Sequence, residues 1–181
     1  MSNRDKLLEK ILKDDDDISG LIENADESLK ADKEIIMSAA KLDGMSLKYA
    51  DDSLKGDKEV VLAASEESGW CALKFCSEDL KADRDFVLEV VKKDGSALGE
   101  AHESLKADKE IVLAAVMQYG DAFDDADESL KKDKDILKAY EEFEGDDDDL
   151  FDIWLFMKIV SRDQFEDSLS PIYLNHKVSK E

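Results

Sequence analysis

The side chains that could act as nucleophiles recur at one position of an internal repeat. Serine occupies that position in four copies and aspartate in another: Ser28, Ser53, Ser104, Ser129 and Asp79. A catalytic nucleophile needs a base and an orienting group, which only one copy of a repeat would supply. His102 occupies a position otherwise filled by aspartate or serine, and His176 lies in the C-terminal tail. We therefore expect no catalytic triad and no enzymatic activity.

Two runs of four aspartates, residues 14–17 and 146–149, are the candidates for a metal site. Calcium loops alternate their oxygen ligands and close on a glycine and a distal glutamate, which contiguous aspartates do not reproduce. Solvated segments or helix starts, where aspartate favours the positive end of the helix dipole, explain the runs better. Cys71 and Cys76 have no zinc or redox spacing, and Cys76 falls in an alanine position of the repeat, so we expect it in the core. No glycine-rich phosphate loop is present, and we expect neither metal nor cofactor.

The repeat has a period near 25 residues. Its copies span residues 25–49, 50–75, 76–100 and 101–125, and a fifth begins at residue 126 with ADESLKKDKDILKAYEEFEG. Fixed periods of this length are typical of stacked helical arrays, in which each unit buries its apolar face only against its neighbours.

Each copy is predicted to form two short helices. One aspartate per copy precedes an apolar run and should act as the N-cap of the first helix: Asp32, Asp57, Asp83, Asp108 and Asp133. That helix should end in a left-handed glycine cap at Gly44, Gly69, Gly95, Gly120 or Gly145. Residues such as Leu47, Ala50 and Leu54 place an apolar face on the second helix, and we expect Leu113 of the first helix to face the core.

These features predict an all-α fold, an α-solenoid of about six short helix-turn-helix repeats, and analogy with other solenoids favours a right-handed stack. Residues 1–24 are interpreted as a degenerate N-terminal capping repeat and residues 25–145 as the helical repeats. Residues 146–181 are expected to form an acidic turn, an apolar helix over Leu150–Val160 and a C-terminal cap.

The repeated core LKADKEIVLAAV, followed by a glycine and then ALxxAxESL, resembles a family of bacterial and protist repeats known as domain of unknown function 4116. The resemblance covers roughly Gly20 to Gly145, because the aspartate, the apolar quartet and the glycine recur in step. It implies a helical repeat array. It implies no catalytic or binding residues.

The charge is strongly negative, with 47 acidic and 25 basic residues and a formal net charge of −22. This charge opposes binding to nucleic acid or an anionic membrane, which depends on cationic side chains. We expect lysines beside the caps to form ladders between repeats: Lys30, Lys55, Lys81, Lys106 and Lys131. The N-terminus lacks the apolar core of a signal peptide, so a cytoplasmic location is expected.

One copy is a residue longer than its neighbours, and the insertion brings Trp70, which either marks a binding face or fills a gap between units. We predict a non-enzymatic protein–protein interaction module, an acidic scaffold that binds a partner with a basic surface. The candidate contact residues are Trp70, Asp124, Asp125, Asp127 and Glu128. An acidic nucleic-acid mimic that inhibits a nucleic-acid-binding enzyme, such as a host defence nuclease, is an alternative, and so is an immunity or antitoxin protein.

Overall fold

A computed structural model describes residues 2–13 and 17–144, and Met1–Phe143 forms one compact unit. The described α-helices are α1 (Asn3–Leu12), α2 (Ile18–Glu23), α3 (Glu27–Lys30), α4 (Lys33–Leu42), α5 (Asp52–Lys55), α6 (Lys58–Ser65), α7 (Gly69–Phe75), α8 (Glu78–Lys81), α9 (Arg84–Val91), α10 (Glu103–Lys106), α11 (Lys109–Gln118) and α12 (Lys134–Glu144). Short 3-10 helices span Gly44–Tyr49, Gly95–Glu100 and Gly120–Phe123. The predictions for residues 14–16 and 145–181 lie outside the described residues.

The all-α repeat architecture is confirmed. Six long helices, α1, α4, α6, α9, α11 and α12, follow one another at the period of the repeat, and the described residues contain no strand. The long helices pack against one another and against a second layer made of α2, α7 and the 3-10 helices. None of the helices that the structure describes is long and apolar enough to cross a membrane.

The internal structure of a repeat differs from the prediction, because three helical segments replace the expected two. The predicted second helix divides at its small core residue, where Ala50 has extended backbone angles of φ −65° and ψ 154°. Cys76 and Ala101 divide their own copies in the same conformation. A 3-10 helix or short α-helix therefore precedes this residue, and a single helical turn follows it.

The break allows each repeat to form a backbone hydrogen bond with the repeat before it. The N–H of Asp51 donates to the carbonyl oxygen of Lys30 at 3.0 Å instead of to its own helix. The same bond recurs at three later junctions: Ser77 to Lys55 at 3.0 Å, His102 to Lys81 at 3.0 Å and Asp127 to Lys106 at 2.9 Å. Because a buried or part-buried amide needs a partner, the junction replaces the helical bond that the break removes.

The core lies between the two layers. In α11 the residues three, four, seven and eight positions after the cap, Ile111, Val112, Ala115 and Val116, are fully buried. In the second layer, the apolar face predicted for the second helix is kept despite the break, since Leu47, Ala50 and Leu54 are all buried. Cys76 is buried as predicted, and burial raises the pKa of its thiol to about 12. The prediction for Leu113 is wrong, because this side chain is only half-buried on the solvent side of α11.

The glycines do not form left-handed caps. The long helices end before them, at Leu42, Ser65, Val91 and Gln118, and every described glycine avoids positive φ. Close packing between repeats explains them instead. A Cβ at Gly95 would collide with the carbonyl oxygen of Ala115 in the next repeat, and a Cβ at Gly69 would lie 2.7 Å from that of Asp94. Gly145 lies outside the described residues.

The extra residue of the longer copy changes the type of helix and creates no bulge. Gly44–Tyr49 and Gly95–Glu100 are six-residue 3-10 helices, whereas Gly69–Phe75 is a seven-residue α-helix. An α-helix rises less per residue than a 3-10 helix, so the additional residue fits into nearly the same length. Trp70 follows the first residue of this helix.

Core and surface positions of the same long helix should differ in their contribution to stability. We expect Ile111→Ala to lower the free energy of unfolding by about 2–5 kcal/mol, because it leaves a cavity among fully buried neighbours. Leu113→Ala, the matched control on the same helix, should cost about half as much or less, since its side chain is partly exposed. Urea denaturation followed by circular dichroism measures both values, and equal losses would contradict this assignment of the two positions.

Candidate partner-binding surface

Five of the six long helices, α4, α6, α9, α11 and α12, begin at an aspartate that uses its two carboxylate oxygens differently. Asp108 accepts the N–H groups of Glu110 and Ile111 with Oδ1, at 3.0 and 3.2 Å. Its Oδ2 pairs with the guanidinium of Arg84 in the preceding repeat at 2.8 Å. The other four predicted N-caps also accept backbone N–H groups of their own helices with Oδ1: Asp32, Asp57, Asp83 and Asp133.

An ion-pair ladder therefore connects the caps across the junctions. Its cations follow the cap of one repeat and contact the cap of the next: Arg4 with Asp32 at 2.7 Å, Lys33 with Asp57 at 2.8 Å, Lys58 with Asp83 at 2.6 Å, Arg84 with Asp108 and Lys109 with Asp133 at 2.8 Å. Four of these cations also contact the acid two residues after the cap: Glu34, Glu59, Glu110 and Asp135. Each such junction thus holds two carboxylates and one cation.

The ladder lowers the pKa of every cap carboxyl below its ordinary value. For Asp108 the largest cause is the hydrogen bond from Arg84, and the backbone N–H groups of Ile111 and Glu110 add to it. Lys33 and Lys109 show the reciprocal effect, since hydrogen bonds to the neighbouring carboxylates raise the pKa of each ammonium group. The caps therefore remain charged at lower pH than an unpaired aspartate does.

The predicted lysine ladder is wrong in its residues. Lys106 pairs with Glu103 of its own helical turn at 2.9 Å and does not contact the caps. Lys30, Lys55, Lys81 and Lys131 make the same local pair. The repeat places these lysines in the one-turn segment, where a residue three positions earlier lies on the same face.

Two further aspartates, which the repeat pattern did not predict as contacts, connect repeats. Asp94 accepts the N–H of Ser96 with Oδ1 at 3.1 Å and the N–H of Trp70, in the preceding repeat, with Oδ2 at 3.1 Å. Asp43 accepts from Met45 and Ser19 in the same way. Their position just before Gly95 and Gly44 was the available signal, since aspartate there can cap the following 3-10 helix.

Trp70 is half-buried and belongs to a chain of contacts that leads to the acidic residues. The ammonium group of Lys74 lies 3.9 Å from the centroid of the Trp70 ring and 3.8 Å from a carboxylate oxygen of Glu100. Asp125 packs over Gly99, because a Cβ there would lie 2.9 Å from its Oδ2. The structure therefore brings Trp70, Lys74, Glu100 and Asp125 onto one surface, hereafter the Trp70 surface.

The four predicted acidic contacts have different environments. All four side chains are exposed, but Asp127 accepts the N–H and the hydroxyl of Ser129, and Glu128 pairs with Lys131. Although Asp125 is exposed as a residue, loss of hydration raises the pKa of its carboxyl, and the charges of Asp124 and Glu100 add to this. Asp124 and Asp125 form no ion pair in the described part of the chain, and neither carboxylate is bonded to a neighbouring side chain there as those of Asp127 and Glu128 are.

Three of the candidate nucleophiles and one histidine have structural partners. The Ser104 hydroxyl lies 2.8 Å from Nδ1 of His102, which is also the cap of α10. Ser53 and Ser129 bond in the same way to Asp51 and Asp127. Asp17, at the end of the first aspartate run, caps α2 by accepting the N–H of Gly20. No group of three or more metal-binding side chains occurs in residues 2–13 and 17–144.

Comparison with known families supports the repeat assignment. The family model of a domain of unknown function, DUF4116, matches the chain five times in tandem, at residues 3–55, 32–81, 57–106, 83–131 and 108–140. Successive matches overlap and begin at or next to the N-cap of a long helix. No curated protein and no solved structure matches the chain.

The two uses of each cap carboxylate can be separated by substitution. Asp108→Ala removes both and should cost about 0.5–2 kcal/mol of unfolding free energy. Asp108→Asn keeps an oxygen for the backbone N–H groups but loses the charge, so it should cost less than the alanine variant. Equal stability of the wild type and Asp108→Ala would show that the cap contributes nothing.

The same caps predict how stability depends on pH. Folding lowers the pKa of five cap carboxyls: Asp32, Asp57, Asp83, Asp108 and Asp133. The caps therefore contribute their full stabilisation of the folded state at any pH above the pKa of an unfolded aspartate, near 3.8. It is lost as the pH falls below that value and the caps are protonated. The melting temperature should therefore decline steeply only below about pH 4, and less steeply in Asp108→Asn. A decline completed above pH 5 would point to other groups.

Proposed function

The chain belongs to the DUF4116 family, and we propose that this member is a non-enzymatic protein–protein interaction module that binds a partner with a basic surface. The observation that carries the proposal is the continuity of the Trp70 surface. An amphipathic aromatic ring, a cation above it, the half-buried carboxylate of Glu100 and the exposed carboxylate of Asp125 lie together on adjacent repeats. Interaction hot spots are enriched in tryptophan, and a surrounding polar rim excludes water from them.

The charged side chains form two groups, paired ones that stabilise the stack and unpaired acids that are exposed, and this supports the same function. At the N-terminal edge of the long helices, cations and caps pair with each other and stabilise the stack. Asp125 on the Trp70 surface and the adjacent Asp124 remain exposed without an ion pair among the described residues. With a net charge of −22, the protein attracts a basic partner over long distances, and these acids are available to meet it.

The structural use of the hydroxyl and imidazole groups supports a role without catalysis. Ser53, Ser104 and Ser129 each bond to the cap of the same helical turn. A hydroxyl group that bonds to the cap residue in several copies is explained by folding alone. We place the module in the cytoplasm as part of the proposal.

Inhibition of a nucleic-acid-binding enzyme by mimicry is the second candidate. The exposed carboxylates Asp124, Asp125 and Glu128 favour it, since a mimic must present acids to a cationic groove. The ladder weighs against it, because cations alternate with acids along one whole edge of the stack. An immunity or antitoxin role is compatible with either mode of binding.

The test begins by capturing the partner from native cells with the tagged full chain and identifying it by mass spectrometry. Binding of the purified partner is then measured for the wild type and Trp70→Ala. We expect Trp70→Ala to weaken binding by about 2 kcal/mol or more, because it removes the anchor of the surface. Leu12→Ala, which truncates an exposed apolar side chain of α1 outside the Trp70 surface, is the matched control and should have little effect.

The same assay separates the scaffold from the mimic. The test variant neutralises four acids together: Asp124, Asp125, Asp127 and Glu128. For a scaffold, this variant should bind the partner moderately more weakly, and the binding affinity should depend only shallowly on salt concentration. For a mimic, this variant should abolish binding, salt dependence should be steep, and duplex DNA should compete. Competition by DNA together with full binding by Trp70→Ala would overturn the scaffold proposal.

A further inference from the structure

The outer side of the second layer presents three side chains from each of four successive repeats. Within each second-layer segment the other residues are buried, and these three positions recur at the same places before the small core residue, apart from the one-residue insertion. They are Met45, Lys48 and Tyr49 in the first of these repeats, Trp70, Lys74 and Phe75 in the second, Ser96, Gly99 and Glu100 in the third, and Asp121, Asp124 and Asp125 in the fourth. We call these residues the graded surface.

Contacts between repeats hold the four segments side by side. The N–H of Gly44, at the start of the first segment, donates to a carboxylate oxygen of Glu67, just before the second, at 3.1 Å. Lys74 of the second segment lies 3.8 Å from a carboxylate oxygen of Glu100 in the third. The fourth segment reaches the third through the carboxylate that packs over Gly99. The graded surface is therefore continuous, and the Trp70 surface lies within it.

The chemistry changes along the graded surface from aromatic to acidic. Gly44–Tyr49 and Gly69–Phe75 contain one lysine each and no acid, and they supply the three aromatic side chains of the surface. Gly95–Glu100 contains one acid, residues 120–125 contain three, and neither segment contains a cation. The first two segments form the aromatic half of the graded surface, and the last two form its acidic half.

The aromatic half presents apolar area although it holds both lysines. The ammonium group of Lys48 lies 4.9 Å from the centroid of the Tyr49 ring, and that of Lys74 lies 3.9 Å from the centroid of the Trp70 ring. The stem of a lysine is apolar, so stem and ring together form a platform for an apolar side chain. A basic side chain at the same place would meet the two ammonium groups instead.

The acidic half keeps its negative charge. Asp124 and Asp125 are exposed and form no ion pair among the residues that the structure describes. The two lysines whose charges act on Asp125, Lys106 and Lys131, each pair with the glutamate three residues earlier. A basic side chain therefore finds carboxylates here that lack a cation of their own.

We propose that the graded surface binds a single segment of a protein partner that is apolar at one end and basic at the other. Its apolar residues pack against Tyr49 and Trp70, and its Lys or Arg residues lie against Asp124 and Asp125. Packed helices lie about 8–10 Å apart, so the four repeats extend over about 24–30 Å. Because the aromatic platform selects the apolar end and charge complementarity selects the basic end, the segment binds in one orientation.

Other occupants fit the graded surface less well. A segment that is basic throughout places cations beside Lys48 and Lys74 and leaves the aromatic rings without an apolar contact. A second copy of the chain brings a net charge of −22 against the same net charge, and this repulsion opposes self-association.

This proposal rests on the proposed function and deepens it, because it names the kind of segment that the Trp70 surface receives. It also extends the contact to Tyr49 at one end and to Asp121 and Asp124 at the other, which lie outside the Trp70 surface. The basic part of the partner is thereby assigned to one half of the surface.

The experiment uses the full chain and a synthetic two-part peptide of about 18 residues, which covers about 27 Å even as a helix. One half of the peptide contains leucine and phenylalanine, and the other half contains lysine and arginine. An interspersed control has the same composition with the two kinds of residue mixed, and an all-basic control replaces the apolar residues with glycine and serine. Titration calorimetry should show the two-part peptide binding at least about tenfold more tightly than either control.

Spin labels on the peptide locate its two ends on the wild-type protein. A nitroxide at the basic end should broaden the amide signals of Gly120–Phe123, and a nitroxide at the apolar end should broaden those of Gly44–Tyr49. Reversed broadening, the same broadening from both labels, no binding, or equal binding of a control peptide would each overturn the proposal. Concentration-dependent shifts of these amides in the free protein would also overturn it, because a second copy would then occupy the surface.

Substitutions test the two halves separately. Asp124→Asn with Asp125→Asn should weaken binding of the two-part peptide about tenfold. Glu89→Gln with Glu142→Gln, which removes the same charge from exposed positions of α9 and α12, is the matched control and should change binding little. Equal losses in the two double variants would contradict the proposal.

Tyr49→Ala tests the aromatic half. With wild-type circular dichroism, this variant should bind the two-part peptide more weakly and the all-basic control unchanged, because only the first peptide has an apolar end. If the two-part peptide binds in the stated orientation but Trp70→Ala leaves native-partner binding unchanged, the proposed function alone fails. If Trp70→Ala weakens native-partner binding but the peptide does not bind in that orientation, this inference alone fails.

Discussion

The backbone hydrogen bond between successive repeats is the constraint on which the rest of the structure depends. The N–H of the residue after each small core residue donates to a lysine carbonyl of the preceding repeat, as in Asp51 to Lys30. This bond requires the break at Ala50, and the break divides the second layer into a 3-10 helix and a single turn. The register that it sets also places the cap of one repeat beside the cation of the previous one.

Once the register is set, the same few side chains serve both the fold and the surface. Asp108 caps α11 and pairs with Arg84, so one residue stabilises a helix and a junction together. Asp94 connects its own 3-10 helix to the backbone of Trp70. Because these structural roles occupy many of the charged groups, exposed acids without an ion pair among the described residues, such as Asp124 and Asp125, are the ones left to meet a partner.

The repeat pattern was sufficient to predict the helical array, its period and the N-cap aspartates, because each of these depends on local spacing that recurs in every copy. It did not predict the break at Ala50, since that conformation depends on a carbonyl supplied by another repeat. The glycines were misassigned for the same reason. Glycine is required at residue 95 because Ala115 of the next repeat comes close to it. The sequence alone does not distinguish such a glycine from one that ends a helix.

The Trp70 surface was only partly predictable. An insertion identified Trp70, but the contacts of Lys74 with its ring and with Glu100 join residues from different copies. The ladder was assigned to the wrong lysines because both sets flank the caps in sequence. Only the direction of each side chain separates Lys106, which faces Glu103, from Lys109, which reaches Asp133.

Native-state hydrogen exchange tests the central claim most directly. The account predicts that the amides of Asp51, Ser77, His102 and Asp127 exchange as slowly as those of the long helices, although most of these side chains are exposed. The equivalent amide of Asp26, which donates no hydrogen bond to any described residue, should exchange fast. Rapid exchange at Asp51, Ser77, His102 and Asp127, at the rate of Asp26, would contradict a stack whose register rests on these bonds.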